Sequence, residues 1–277
     1  MRLLLSATVV AMVWVGPATC QTPQEGGAPT APEAEMVLIP AGEFEMGSGA
    51  RVNETPTHVV YVDAFYLDRH EVTNRQFKQF VDANPQWGKG QADPQLVEDD
   101  YLAHWTGNEY PPERADHPVT HVSWPAAAAY AAWAGKRLPT EAEWERAARG
   151  GEGYRYAYGD QYDPQKANTG RSVGDTTPVC SYEPNPFGLC DMTGNVLEWT
   201  ADWYAEDYYA RSPERNPKGP ESGRSHVLRG GSWNYDATRC TTTFRFFLVP
   251  PILDRACTEF IGFRCARDVP AQEQAGG

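Results

Sequence analysis

The chain has 277 residues, a net charge of −13 and 41% hydrophobic residues. Its lysines and arginines are scattered rather than gathered into a stripe, which excludes the basic footprint that nucleic-acid binding needs. Acidity on this scale suits solubility and is compatible with cation binding.

Residues 1–20 open with Arg2, run apolar from Leu3 to Val15 and end in the small residues Gly16, Ala18 and Thr19. That order predicts a secretory signal peptide, and the apolar run is short for a membrane span. Cleavage after Cys20 fits. A lipid anchor on Cys20 is the alternative, with Pro17 and Thr19 set against it. No later stretch is apolar enough to cross a bilayer, so a periplasmic or secreted protein is expected. Residues 21–35, rich in Pro, Gly, Ala and Thr, read as a flexible linker. One domain is expected over 36–268, with a tail over 269–277. Five cysteines follow Cys20: Cys180, Cys190, Cys240, Cys257 and Cys265. In an oxidising compartment they predict two disulfides and one odd thiol, with the pairing open.

Met36–Met46 reads as a hairpin turning at Pro40-Ala-Gly42, and Val59–Leu67 as a further strand. Thr73-Asn-Arg-Gln76 and Thr140-Glu-Ala-Glu143 are capping boxes. The first opens a helix burying Phe77, Phe80 and Val81; the second opens a helix that stops at Gly150-Gly151. Between them Ser123-Trp-Pro125 starts an alanine-rich helix expected over Ala126–Ala134 and stopped by Gly135. Asn84–Asp116 is a long irregular loop holding Trp87, Tyr101, Trp105 and Tyr110, a length that often carries function. Short strands are expected over Tyr154–Tyr158, Pro178–Tyr182, Val196–Asp202, His226–Trp233 and Ile261–Cys265. A few central helices flanked by short strands define an α+β fold, not an alternating βαβ one.

Four constellations could carry chemistry. His117-x-x-x-His121 contains Pro118, so the two rings do not share a helix face, and no third metal ligand is nearby in the sequence. Asp191-Met-Thr-Gly-Asn-Val-Leu-Glu198 offers two carboxylates and main-chain carbonyls around a glycine turn, the hard oxygen donors that calcium takes. Asn168-Thr-Gly-Arg-Ser-Val-Gly-Asp175 offers oxygens and glycines again. Arg229-Gly-Gly-Ser232 through Cys240 brings a hydroxyl and a thiol behind two glycines, which let the backbone turn or approach something closely. A thiol acts as nucleophile or soft-metal ligand only as thiolate.

Taken in order, MVLIPAGEFEMG (36–47), EVTN (71–74), VSW (122–124), RLPTEAEW (137–144), NPFG (185–188), GNVLEW (194–199), LRGGSW (228–233) and GFR (262–264) resemble the sulfatase-modifying factor family, the formylglycine-generating enzyme domain. The resemblance implies a single α+β domain of low regular content, related in topology to C-type lectins. It implies structural calcium and, in active members, a copper ion held by two cysteines that oxidises the cysteine of a Cys-x-Pro-x-Arg sequence with oxygen. It places calcium on the Asp191 and Glu198 side chains and the Gly194 and Val196 carbonyls. Asn168 and Thr169 match the start of a second calcium loop whose remainder is shortened here.

The catalytic positions depart from the family. Tyr235 stands where the first catalytic cysteine is expected, Asp236 where a histidine is, Leu197 where a tryptophan is and Phe260 where an asparagine is; Ser232 and Cys240 are kept. A two-thiolate copper site needs both sulfurs, and a phenol does not replace one for Cu(I). Cys257 supplies the second only if the fold brings it to Cys240. Cys265 matches a family disulfide cysteine whose partner position is Ala148, so the disulfides are rewired. Three functions are compatible: a calcium-stabilised peptide- or protein-binding or regulatory member, a tailoring oxidase of siderophore-maturation type with Tyr235, Asp236 and Cys240 in its pocket, or a formylglycine generator with a relocated cysteine.

Overall fold

The computed structural model describes residues 35–249 and 253–270. The signal-peptide reading, the lipid-anchor alternative and almost all of the linker and tail lie outside that range. Three capped helices occupy the middle of the chain. In α1 (Asn74–Ala83) the Thr73 hydroxyl accepts from the Gln76 N–H while the Gln76 side chain accepts from Thr73, and Phe77, Phe80 and Val81 are buried. Helix α2 (Trp124–Trp133) starts where Ser123-Trp-Pro125 predicts: the Ser123 hydroxyl caps it and Pro125 suits the first turn. Its buried alanines let neighbours approach, and Tyr130 stacks on Phe77 with centroids 5.8 Å apart. Helix α3 (Glu141–Ala148) carries the second capping box, Thr140 with Glu143.

All of α3 is buried, although half of it is charged. Burying a carboxylate is costly unless it is paired and hydrogen-bonded. Glu141 receives Arg245 at 2.6 and 3.0 Å, Arg229 at 3.4 Å and the Tyr209 hydroxyl at 3.3 Å. Glu145 receives Arg229 at 2.5 Å, Arg149 at 3.0 Å and the Gly47 N–H at 2.8 Å.

The strands form three small sheets. β1 (Met36–Ile39), β4 (Phe65–Asp68) and β8 (Ala266–Asp268) make one, with β4 central and both partners antiparallel to it. β2 (Gly42–Met46) pairs with β3 (His58–Val62). β5 (Leu197–Trp203) lies between antiparallel β6 (His226–Arg229) and parallel β7 (Ile261–Gly262). The Met36–Met46 hairpin is therefore corrected: its two strands exist but join different sheets. Val59–Leu67 is likewise two strands rather than one. Tyr154–Tyr158 and Pro178–Tyr182 are turns, with only a Tyr156–Gly159 bridge in the first. The last predicted strands stop early, at Arg229 before two glycines and at Gly262.

One apolar cluster joins α1, α2 and β5, including Phe77, Phe80, Tyr130, Trp199 and Phe263; a second joins α3 to the first four strands around Trp144. The long loop packs into the first cluster through Val97, Tyr101, Leu102 and Trp105. No helix among the described residues is long and apolar enough to cross a membrane. Removing Glu141 leaves two buried guanidiniums undercompensated. Glu141→Ala is expected to cost about 3–5 kcal/mol, read as a lower urea midpoint with an unchanged slope.

Candidate functional site

The site begins where β6 ends. Gly230 and Gly231 have φ of 95° and 74°, which an L side chain rarely adopts. A Cβ on Gly231 would lie 2.5 Å from the Cys240 sulfur and 2.5 Å from the Arg239 carbonyl. The close approach expected of these glycines is thus real: the backbone lies directly against the thiol.

Cys240 is fully buried, its Sγ 3.7 Å from the carbonyls of both Ser232 and Tyr235. Burial pushes its thiol up to about 12. Ser232 is buried too and donates to Asn234 Oδ1 at 2.6 Å. Tyr235 is half-buried against the edges of Phe244, Phe246 and Phe260, with the Arg239 guanidinium 5.4 Å from its ring centroid. Burial raises its phenol above the ordinary tyrosine value. Asp236 turns away from this cluster. It is exposed, caps the short Ala237–Arg239 turn, and is held below the usual aspartate value by the Thr238 hydroxyl. Of the four predicted catalytic residues, Ser232, Tyr235 and Cys240 are neighbours, and Asp236 serves as a surface cap.

Cys257 does not join Cys240. Its thiol donates to the Arg255 carbonyl at 3.2 Å within the first apolar cluster, and burial raises it to about 12 as well. The expectation of two disulfides is also corrected. Cys180 and Cys190 are bonded, whereas Cys240, Cys257 and Cys265 are buried free thiols. Cys240 and Cys257 lie in separate surroundings, and Cys265 is enclosed in the core with its N–H on Asp68 Oδ2.

The acidic loop is close by. Gly194 has φ of 85°, and a Cβ there would lie 2.3 Å from the Asn168 carbonyl. The two loops read as separate cation sites are therefore packed together, with the Asn195 N–H on the Asn168 carbonyl at 2.9 Å. They also hold the Trp233–Tyr235 segment: Gly170 N–H donates to the Tyr235 carbonyl, Arg171 N–H to the Trp233 carbonyl and Trp233 N–H to the Asn195 carbonyl.

Asp191, with φ of 59°, accepts the Cys180 N–H on Oδ2 at 2.7 Å. Glu198 is wholly buried and engaged on both oxygens by Arg264, at 2.7 and 2.8 Å, with Trp144 Nε1 adding a third bond at 2.9 Å. Sequence reasoning missed a third carboxylate, Glu71. It is fully buried and receives Asn195 Nδ2 at 3.2 Å on one oxygen, while its Oε2 has no partner. Burial first, and then the charge of Asp191, raises Glu71 well above the usual glutamate value; burial raises Asp191 too. Glu71 precedes an N-cap by two residues, which hides its role behind a structural motif.

Whether calcium suits these residues is a question of donors. Two buried carboxylates, Glu71 and Glu198, and the half-buried Asp191 face one guanidinium, and both Glu71 Oε2 and Asn168 Oδ1 are buried oxygens without a partner. Hard oxygens short of positive charge fit calcium. Among the described residues no three His, Cys, Asp or Glu side chains are grouped to hold a metal by themselves, so carbonyls such as those of Gly194 and Val196 are needed. Thr169 contributes its hydroxyl to Tyr162 at 2.9 Å. Copper fares differently: one buried, protonated thiol and a phenol do not make a two-thiolate site.

A loop-rich α+β domain with a glycine-bedded thiol beside an acidic loop defines a formylglycine-generating-enzyme type of protein. The chain belongs to this family: the profile of the Sulfatase-modifying factor enzyme 1-like domain matches residues 22–269. It is 37% identical to the formylglycine-generating enzyme of Streptomyces coelicolor over 299 residues, 91% of this chain and 95% of that one. It is 43% identical to serine/threonine-protein kinase pkn1 of Chlamydia pneumoniae over 245 residues, 85% of this chain but 38% of the kinase. The chain thus spans well under half the length of the chlamydial relatives. The solved structure of PvdO from Pseudomonas aeruginosa superposes with a TM-score of 0.69 at 27% identity, covering 84% of this chain and 94% of that one.

Protonation and burial both silence the free thiols. Iodoacetamide at pH 8 is expected to leave Cys240, Cys257 and Cys265 unmodified in the folded protein and to label all three in guanidinium. Peptide mapping reads the difference, and rapid native labelling of Cys240 contradicts it.

Proposed function

We propose that this chain is a calcium-stabilised, non-formylglycine-generating member of its family that binds a peptide or protein partner. One observation carries the reading: the retained cysteine is enclosed and protonated, and its expected companion is Tyr235, built into an aromatic wall. Oxidative chemistry at a copper–thiolate centre needs two accessible sulfurs, and this segment offers none. What it offers instead is a surface of Tyr235, Phe246 and Phe260 with Arg239 alongside, a composition that suits peptide recognition. The occurrence of a similar domain within proteins named as serine/threonine kinases supports a binding or regulatory role. A periplasmic or secreted location belongs to the same proposal.

Calcium when bound supplies positive charge to the carboxylate-rich loops. Asp191, the Gly194 and Val196 carbonyls, Asn168 and the unpartnered oxygen of Glu71 are the residues that would hold it. Glu198 contributes by fixing Arg264.

Purified protein supplied with Cu(I), oxygen and a Cys-x-Pro-x-Arg peptide is expected to yield no aldehyde by mass spectrometry, beside a Streptomyces enzyme that does. Aldehyde formation abolished by Cys240→Ser would overturn the reading. Excess EGTA is expected to lower the melting temperature, since a ligand bound only by the folded state stabilises it by mass action. An unchanged melting curve would remove calcium from the proposal.

A further inference from the structure

The histidines that lie close in the sequence part in the fold: His117 Nδ1 is bonded to Thr176 Oγ1 at 2.9 Å, whereas the His121 ring faces His104 with centroids 5.4 Å apart. Beside Tyr235 the fold leaves something more open, the outer edge of the β5–β6–β7 sheet. Phe246 lies against β6 on the side away from β5. Its N–H and carbonyl exchange bonds with Leu228 at 3.0 and 2.9 Å, the pattern of an antiparallel pair.

The main-chain groups of successive strand residues point to alternate sides, and residues 246–249 follow that rule. Leu248 N–H turns inward like that of Phe246 and donates to Ser225 Oγ at 3.2 Å. Phe247 and Val249 are the outward positions. Among the described residues, neither the N–H nor the carbonyl of either has a hydrogen-bond partner. The preceding outward carbonyl, that of Arg245, is covered by Asn53 Nδ2 at 3.2 Å, so the open stretch starts at Phe247. It stops after Val249, because Pro250 and Pro251 have no N–H to give. Phe246-Phe-Leu-Val249 also lacks the charged side chains that blunt exposed edges, and Val249 is 59% exposed. The two faces of this edge differ. Phe247 is stacked on Tyr204, centroids 3.9 Å apart. Phe246 lies 6.0 Å from the Tyr235 centroid, and Tyr235 leads on to Phe260 at 6.1 Å.

We propose that the peptide partner docks as an added strand on this edge, hydrogen-bonded to the main chain of Phe247 and Val249, with alternate side chains laid against Phe246, Tyr235 and Phe260. The proposal rests on the peptide-binding reading and supplies its mode of recognition: main-chain bonds hold the segment, and the aromatic surface selects its side chains. The partner is thus an extended segment with apolar residues at every second position and no proline opposite Phe247. A peptide suits this edge better than a second copy of the chain. Two outward residues make few bonds, a copy brings only the same two, and a peptide runs on past them to the aromatic surface.

The test titrates the full chain with an acetylated peptide of alternating valine and threonine carrying a central phenylalanine, followed by amide NMR and hydrogen exchange. Saturable shifts of the Phe247 and Val249 amides are expected, with slowed exchange at both. The same peptide N-methylated at its central residues keeps its side chains and loses its donors, and is expected to bind roughly tenfold more weakly. Val249→Pro removes an outward N–H without breaking an internal bond and is expected to weaken binding in the same direction. Leu38→Thr, on β1, is expected to leave it unchanged. Equal binding of the N-methylated peptide, with shifts around Tyr235, would overturn strand addition and leave peptide binding standing. Binding that needs the peptide N–H groups but ignores Tyr235→Ala would support the added strand while removing Tyr235 from the reading above. Absence of saturable binding overturns the proposal. So does a sedimentation coefficient that rises with protein concentration and ceases to rise in Val249→Pro, which would give the edge to a second copy.

Discussion

The Arg264–Glu198 pair is the contact on which the most distant parts of this domain depend. Arg264 is fully buried and spends all three nitrogens: Nε and Nη2 on Glu198, with Nη2 also on the Cys190 carbonyl, and Nη1 on the carbonyls of Asp68 and Arg69. One side chain thus joins β5, the end of β4 and the disulfide loop. Glu198 in turn holds Trp144, which anchors α3. Breaking such a pair strands a charge in the interior, so the arrangement forms completely or the three segments separate. The same guanidinium partly offsets Glu71 and Asp191, and the unbalanced remainder gives the acidic loops their demand for positive charge.

That demand is mechanically connected to the surface beyond. The Asn168–Arg171 loop hydrogen-bonds the main chain of Trp233 and Tyr235, and Asn195 bonds both the loop and Trp233. A cation in the acidic loops would therefore stiffen the segment that presents Tyr235. The family's scaffold is kept here with Cys240 fully buried in it. The glycines that bring the main chain onto Cys240 close the thiol off rather than exposing it.

Local features were legible in the sequence and long-range ones were not. Thr73, Ser123 and Thr140 start helices because a hydroxyl satisfies orphan N–H groups within three residues, a purely local transaction. Pairing of β1 with β4 rather than β2 depends on what each strand buries, and no turn residue records that. Pro40 and Gly42 look like a hairpin and serve as a crossover between sheets. The acidic loop was visible because Asp191 and Glu198 lie within one eight-residue stretch, whereas Glu71 arrives from 120 residues before Asp191. The cysteines carried no sign of which thiols the core would separate. His121 was read beside His117, its sequence neighbour, when its spatial neighbour is His104.

The sheet β1–β4–β8 has a consequence for how the domain bears load. β1 and β8 both run antiparallel to β4, so they are parallel to one another on its two sides. β1 enters opposite Asp68, and β8 leaves opposite Phe65. Tension between an attachment before β1 and one after β8 runs along the strands and across hydrogen bonds perpendicular to it. All the bonds of both ladders then resist together, as in a lap joint, instead of opening one by one like a zip. A domain held at both ends in this way transmits a pull through β4 to whatever its ends are joined to, without first unravelling.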